Sequence, residues 1–380
     1  MAYPFAARHA RLADALRRNE LDALAVTNLA NIRYLTGFAG TAGLLVVTPD
    51  RLYLLVDFRY SAAVSRLIRD GHAPDGLVPV ALEASTGYDR RFETLVAEQR
   101  WRRLGFEAGD VTVRRWRGWI DRLANAAPGT ALVETDRLVE EGRLRKDEAE
   151  IETLRDAARR LSHVARSVLD EVVRPGRTER EMAADIELRL KRAGFEKPAF
   201  DTIVASGPNS ALPHARPTSR EARPGELVVL DFGGVRNGYC VDLTRTVALG
   251  DVPQECRRIY EAVREAQAAA IAAAGRAEVT TGEVDAAARE TLARYGLDQY
   301  FGHGTGHGLG LDVHEAPRLT RRSQETPGTD PLEAGMVFTI EPGAYVEGIG
   351  GVRIEDDLLR TEGGCEVLTD VPREWRVVPA

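Results

Sequence analysis

Four acids in the second half of the chain stand where acids are costly. Asp231 interrupts the apolar run LVVLDF and Glu341 interrupts MVFTIEP, with Asp242 eleven positions after the first and Glu355 fourteen after the second. A lone carboxylate buried in such a strand costs on the order of several kcal/mol, or stays protonated. Between the two pairs runs HGTGHGLGLDVHE, residues 303–315, which holds His303, His307 and His314, three of the chain's seven histidines. Four glycines separate them, and so little bulk points to a close approach of backbone to something bound. Like charges at close range repel, so four carboxylates can converge only with cations between them. Four carboxylates and one imidazole form a hard, oxygen-rich set suited to two divalent ions bridged by shared carboxylates.

An internal repeat supplies the elements that position these groups. TEREMAADIELRLKRAGF opens with Thr178 and Glu181 and closes at Gly194; TTGEVDAAARETLARYGL opens with Thr280 and Glu283, 102 positions on, and closes at Gly296. Each opening is a capping box and each glycine a helix stop. Further along, GELVVLDFGG aligns with GMVFTIEPGA, so that Gly225 to Asp231 and Gly335 to Glu341 each span six residues. Each acid is followed two positions later by glycine, and each second acid by an RT, in DLTRT and EDDLLRT. Two helix-plus-hairpin halves packed about a pseudo-twofold axis would bring the four acids together.

At 380 residues the chain exceeds one ordinary core, and two domains are expected, 1–142 and 143–380. The first alternates helical and strand patterns: ARHARLADALRRNELDALAVT reads as a helix and a buried strand, and GLLVVTPDRLYLLVDFRY as a hairpin. The charged run RLRKDEAEIETLRDAARRLSHVARSVLDEVV opens the second domain as a long helix. A net charge of −7 argues against nucleic acid as a partner. Cys240, Cys256 and Cys365 are scattered and odd in number, so no disulfide framework is implied. No stretch has the apolar length of a signal peptide or membrane span, and a cytoplasmic, homodimeric protein is expected.

With these residues in place the sequence resembles the pita-bread metallopeptidases, in the branch that contains Xaa-Pro aminopeptidases and prolidases. Asp231, Asp242, His307, Glu341 in TIEPG and Glu355 in GVRIEDD match that pattern in order, and NIRYLTGFAGTAG is similar to the creatinase-like domain that precedes it. The resemblance covers the whole chain. It implies an N-terminal creatinase-like α/β domain followed by a C-terminal α+β pita-bread domain. It further implies two divalent ions, with manganese expected ahead of cobalt or zinc. His307 and Glu341 would hold one ion, Asp231 the other, and Asp242 and Glu355 would bridge both. His214 and His314, the latter in a strand, would reach the substrate carbonyl; Glu341 would shuttle the proton. His303 would line the pocket for proline, with the glycines letting the peptide lie close. Arg353 would steady the bridging acids beside the substrate.

The implied reaction is hydrolysis of the bond preceding proline in proline-containing peptides. Creatinase-like enzymes and non-catalytic binding modules on this scaffold lack this set of four acids and one imidazole, and methionine aminopeptidases usually lack the long N-terminal domain. The motif DFRY (Asp57, Arg59 and Tyr60) looks like that of small bacterial aminopeptidases P, so cleavage of tripeptides and longer peptides is expected over dipeptides. Arg318, after HEAP, is the feature that fits the alternative, a prolidase acting on Xaa-Pro dipeptides.

Overall fold

The computed structural model describes residues 3–83, 86–321 and 328–379. The chain divides into two compact units, Met1–Arg143 and Leu144–Ala380.

The first unit is a mixed sheet flanked by helices. In chain order it runs α1 (Phe5–Arg18), β1 (Ala23–Val26), α2 (Leu29–Thr36), β2 (Leu44–Val47), β3 (Leu52–Val56), α3 (Phe58–Arg69), β4 (Leu77–Ala81), α4 (Tyr88–Gln99), β5 (Arg103–Glu107), α5 (Val113–Ala126) and β6 (Ala131–Thr135). The strand order is β4-β3-β2-β1-β5-β6. β1, β2 and β3 pair antiparallel and the outer pairings are parallel. LLVV of β2 and LYLLV of β3 are buried throughout, because helices cover the sheet and leave no wet face for alternation. Phe92 of α4 and Trp119 of α5 stack in the core with ring centroids 4.6 Å apart.

The second unit follows α6 (Glu140–Leu144). α7 (Glu148–Ser167) opens with a capping box between Asp147 and Glu150. The repeat helices are α8 (Glu179–Arg192) and α10 (Thr281–Arg294), each closed at its start by the capping box expected of it. Gly194 (φ +89°) and Gly296 (φ +69°) terminate them in the left-handed region. β7 (Lys197–Pro198), β8 (Ile203–Ser206), β9 (Glu226–Arg236) and β10 (Tyr239–Leu249) form one sheet with the terminal strand β18 (Val377–Val378). After α9 (Gln254–Ala274) and α10 come β11 (Gly306–Gly308), β12 (Glu315–Leu319), β13 (Val337–Ile340), β14 (Gly343–Val346), β15 (Gly350–Arg353), β16 (Asp356–Thr361), β17 (Gly364–Val367) and β18 (Val377–Val378). The second sheet has the order β12-β11-β13-β16-β17, with β14 and β15 a separate pair. Where the first half has one continuous hairpin, β9–β10, its counterpart in the second half breaks into β13–β16 and β14–β15. The break falls at Glu341–Pro342, where proline withholds a ladder N–H, and opposite it at Ile354–Glu355. No helix among the described residues is long and apolar enough to cross a membrane.

A pH dependence arises from one buried acid of the first unit. Glu107 accepts hydrogen bonds from the Thr27 and Asn28 amides and from Asn31 Nδ2 at 2.6–2.8 Å, yet burial outweighs them and lifts its carboxyl to about 7, against 4.5 when solvated. The folded state therefore binds a proton that the unfolded state has lost. Its contribution is full below pH about 4.5 and disappears as the pH rises to about 7, a change of up to roughly 3 kcal/mol. Three of the four tryptophans, Trp101, Trp116 and Trp119, report this unit. Their denaturant midpoint should fall over that interval, and Glu107→Ala should flatten the slope; a slope unchanged in the variant would exclude Glu107 as its source.

Candidate metal centre

The antiparallel register places Asp231 opposite Thr244 and Gly233 opposite Asp242, so the two acids of the first half project from one face of the hairpin as diagonal neighbours. Glu341 and Glu355 sit in the two breaks of the second hairpin, where the ladder is already interrupted. His307 is the middle residue of β11, with its amide donating to Thr339 Oγ1 at 3.2 Å. The halves are tied reciprocally. Thr244, two past Asp242, donates its hydroxyl to Glu355 Oε2 at 2.6 Å; Asp357, two past Glu355, accepts the Asp242 amide at 3.0 Å. The Glu355 amide also donates to Thr244 O at 3.1 Å. Asp242 and Glu355 are thus each held from the opposite half.

Asp231, Asp242, His307, Glu341 and Glu355 all line one cavity of about 560 Å³. Within it, donor atoms of Asp242, His307 and Glu355 lie inside 4.8 Å of one another, and His307 Nε2 is 3.5 Å from Glu341 Oε1. His307 Nδ1 faces the Gly308 carbonyl at 3.1 Å. A carbonyl can only accept, so Nδ1 carries the proton and Nε2 offers its lone pair to the cavity. Burial, followed by the nearby His314 ring, pushes His307 down to about 4, so the imidazole is neutral. Burial raises the carboxyls of Asp242, Glu341 (to about 8) and Glu355, and the neighbouring acids raise them further. Oxygens of Asp231 and Asp242 are buried without a hydrogen-bond partner. A neutral imidazole, repelling carboxylates and orphaned oxygens form a donor set short of positive charge, and divalent cations fit it.

Among the described residues that line the cavity, the buried cation is Arg353. Its Nη2 donates to Asp231 Oδ2, its Nη1 to Tyr345 Oη at 2.7 Å and Pro213 O at 3.2 Å, and its Nε to Thr244 Oγ1 at 3.2 Å. Arg353 therefore grips Asp231 directly and reaches Glu355 only through Thr244, which corrects the expectation that it steadies the bridging acids. From Tyr345 the chain continues: its hydroxyl donates to His303 Nε2 at 2.9 Å, and His303 Nδ1 donates to Gly304 O at 2.8 Å. Burial, then Arg353, lowers His303 to about 4. Both nitrogens of His303 are occupied, so it lines the cavity as a fixed, neutral wall. Tyr345, Thr244 and Asp357 do not stand out in the sequence; only the repeat, which matches Thr244 to Asp357, could have flagged the last two.

His214 and His314 stand exposed on the cavity, and the His314 ring packs edge-on to His307 with centroids 4.4 Å apart. Burial and then Arg318 lower His314. His314 lies in a bend just before β12, not in a strand. Arg318 faces His307 across the β11–β12 ladder and lines the cavity, as does Arg216. The glycines of the histidine stretch answer to the protein itself. A Cβ on Gly306 would sit 1.9 Å from Thr339 O, and one on Gly308 2.0 Å from Ala316 O. Close strand packing, not a bound peptide, excludes side chains there. The DFRY residues belong to the first unit. Asp57 caps α3 by accepting the Arg59 amide, pairs with the Arg59 guanidinium at 2.7–3.0 Å and accepts from Tyr88 Oη at 2.8 Å. Tyr60 Oη meets Thr41 Oγ1 at 2.6 Å. A local helix cap accounts for the contacts that Asp57 and Arg59 make.

Residues 152–362 match metallopeptidase family M24, and residues 8–145 match the creatinase/prolidase N-terminal domain. The chain belongs to metallopeptidase family M24 and is an enzyme of that class. A Xaa-Pro dipeptidase from Pyrococcus horikoshii is 34% identical to it over 96% of this chain and 97% of its own. The structure of a Xaa-Pro dipeptidase from Bacillus anthracis is similar with a TM-score of 0.90 at 35% identity, covering 98% of this chain and 100% of that one. That of an X-Pro aminopeptidase from Thermotoga maritima has a TM-score of 0.85 at 32% identity over 97% and 99%.

Cations that bind only the folded cavity must stabilise it. Saturating Mn²⁺ at a hundredfold above its Kd should add about 2.7 kcal/mol to unfolding of the second unit, and EDTA should remove it. Asp242→Ala and His307→Ala should abolish the increment. A melting temperature indifferent to Mn²⁺ and to EDTA would exclude a metal centre.

Proposed function

We propose that this protein hydrolyses the peptide bond preceding proline and that its preferred substrates are Xaa-Pro dipeptides. Asp231, Asp242, His307, Glu341 and Glu355 would hold two divalent cations, manganese first, which would supply Lewis acidity to the scissile carbonyl and acidify water at the site. Glu341, with an oxygen 3.5 Å from His307 Nε2, takes the proton of the attacking water and returns it to the proline nitrogen. His214 and His314 donate to the carbonyl oxygen as it gains charge. His303, locked by Tyr345, walls the proline side. Arg353 orients Asp231 and Tyr345 and does not touch substrate.

The observation that carries the dipeptide preference is Arg318. It is exposed on the cavity beside His307 and His314 and, among the described residues, has neither a hydrogen bond nor an ion pair for its guanidinium. A dipeptidase needs such a cation for the free carboxylate borne by the proline. Two of the similar proteins named above are Xaa-Pro dipeptidases, which adds support. The sequence-based preference for longer peptides rested on DFRY, whose Asp57 and Arg59 form a local helix cap in the first unit.

Substrate length and one substitution test this reading. An Xaa-Pro dipeptide should be cleaved with at least tenfold higher kcat/KM than the same sequence extended by one residue, about 1.4 kcal/mol of discrimination. Arg318→Ala should raise KM for the dipeptide about tenfold and spare the extended peptide. Tripeptides preferred by that margin would make the protein an Xaa-Pro aminopeptidase. Glu341→Gln should lower kcat by at least ~10²-fold with either substrate; activity within a few-fold of wild type would remove its proton role.

A further inference from the structure

The two repeat helices each bury an acid that plays no part in the proposed reaction. Glu179, the first residue of α8, is fully buried. Its Oε1 accepts from the Ser206 amide (2.8 Å), Ser206 Oγ (2.9 Å) and Asn209 Nδ2 (3.0 Å); its Oε2 accepts from the Thr218 amide (2.9 Å) and Thr218 Oγ1 (2.7 Å). Ser206 and Thr218 are the two feet of the loop that carries His214, so one carboxylate closes that loop at its base. In α10 the buried acid is Asp285. Its Oδ1 accepts from the Thr305 amide (3.2 Å) and Thr305 Oγ1 (2.8 Å), and its partner Arg289 donates to the carbonyls of Phe301 and His303. Thr305 lies between His303 and His307, and its own carbonyl accepts the Glu341 amide at 2.7 Å.

By the repeat, Glu179 corresponds to Thr281 and Asp285 to Ala183, so the two acids stand four residues apart on one face of equivalent helices. A long acid in the first turn of one helix and a short acid one turn further along the other reach the loop of their own half. Each carboxylate collects several N–H and O–H donors, the arrangement that holds an anion and the backbone around it most firmly.

We propose that Glu179 and Asp285 are paired positioning residues, each fixing the histidine loop of its own half, Glu179 the loop of His214 and Asp285 the loop of His303 and His307. What the loops do rests on the proposed function; which acid holds which loop does not. The two halves then fail differently. Loss of Glu179 loosens a substrate-facing histidine and leaves the metal donors in place. Loss of Asp285 loosens a metal donor.

Amide hydrogen exchange on the metal-free protein reads the ties themselves. Glu179→Ala should speed exchange across 207–217 at least tenfold and leave 302–308 within about twofold, and Asp285→Ala should do the reverse. On the same proteins, calorimetric titration with Mn²⁺ should show affinity within about twofold of wild type for Glu179→Ala and weakened at least tenfold for Asp285→Ala. Glu179→Ala should lower kcat on an Xaa-Pro dipeptide at least tenfold with little change in KM. Should either alanine variant not fold, Thr218→Val and Thr305→Val remove one tie each and should show smaller changes in the same loops. Exchange that rises in both loops in each variant, or in neither, overturns the proposal even if the peptidase reading stands. Correct exchange in a wild-type protein that binds no Mn²⁺ overturns the peptidase reading and leaves the ties intact.

Discussion

Carboxylates gathered out of water repel one another, and the second unit is organised around that repulsion. Asp242, Glu341 and Glu355 are each driven toward protonation by burial, with the Asp231 carboxylate adding to it in all three and Arg353 opposing it at Asp242 and Glu341. Among the described residues lining the cavity, the buried cation is Arg353, and it is committed to Asp231 and Tyr345. Its charge offsets one acid of four. The rest of the deficit is what makes the cavity a cation site. The surrounding hydrogen bonds hold the acids at short range despite their repulsion: Thr244 on Glu355, Asp357 on the Asp242 amide, Thr305 on the Glu341 amide.

Much of this was legible in the sequence because it is written in short-range signals. The capping boxes at Thr178 and Thr280 and the stops at Gly194 and Gly296 lie within one helix each, and both helices form between them. Acids interrupting apolar strands stood out because burial of a lone charge is costly, and the structure collects all four on one cavity. The misread features depend on neighbours far along the chain. Gly306 answers to Thr339, and Tyr345 matters because Arg353 and His303 lie on either side of it.

The same cavity holds the side chains on which the proposed dipeptide preference rests. His214 and His314 stand exposed beside the acids, and Arg216 and Arg318 stand on the same lining. His303 is fixed by Tyr345 on one side and its own backbone on the other. On the proposed function, a rigid neutral wall and exposed cations would divide the work between shape and charge, the wall selecting the ring and the cations the group attached beyond it.

The reciprocal ties between Thr244 and Glu355 and between Asp242 and Asp357 join residues more than 110 positions apart. Such contacts close long loops, and their entropy must be met before they form. A chain emerging from the ribosome with residue 340 just made would already hold β9 and β10 with Asp231 and Asp242 in place. It would lack the guanidinium that grips one of these acids and the carboxylate that receives the other strand's amide. The cavity is therefore among the last parts of the unit to be completed, its closing ties arriving only with residue 357.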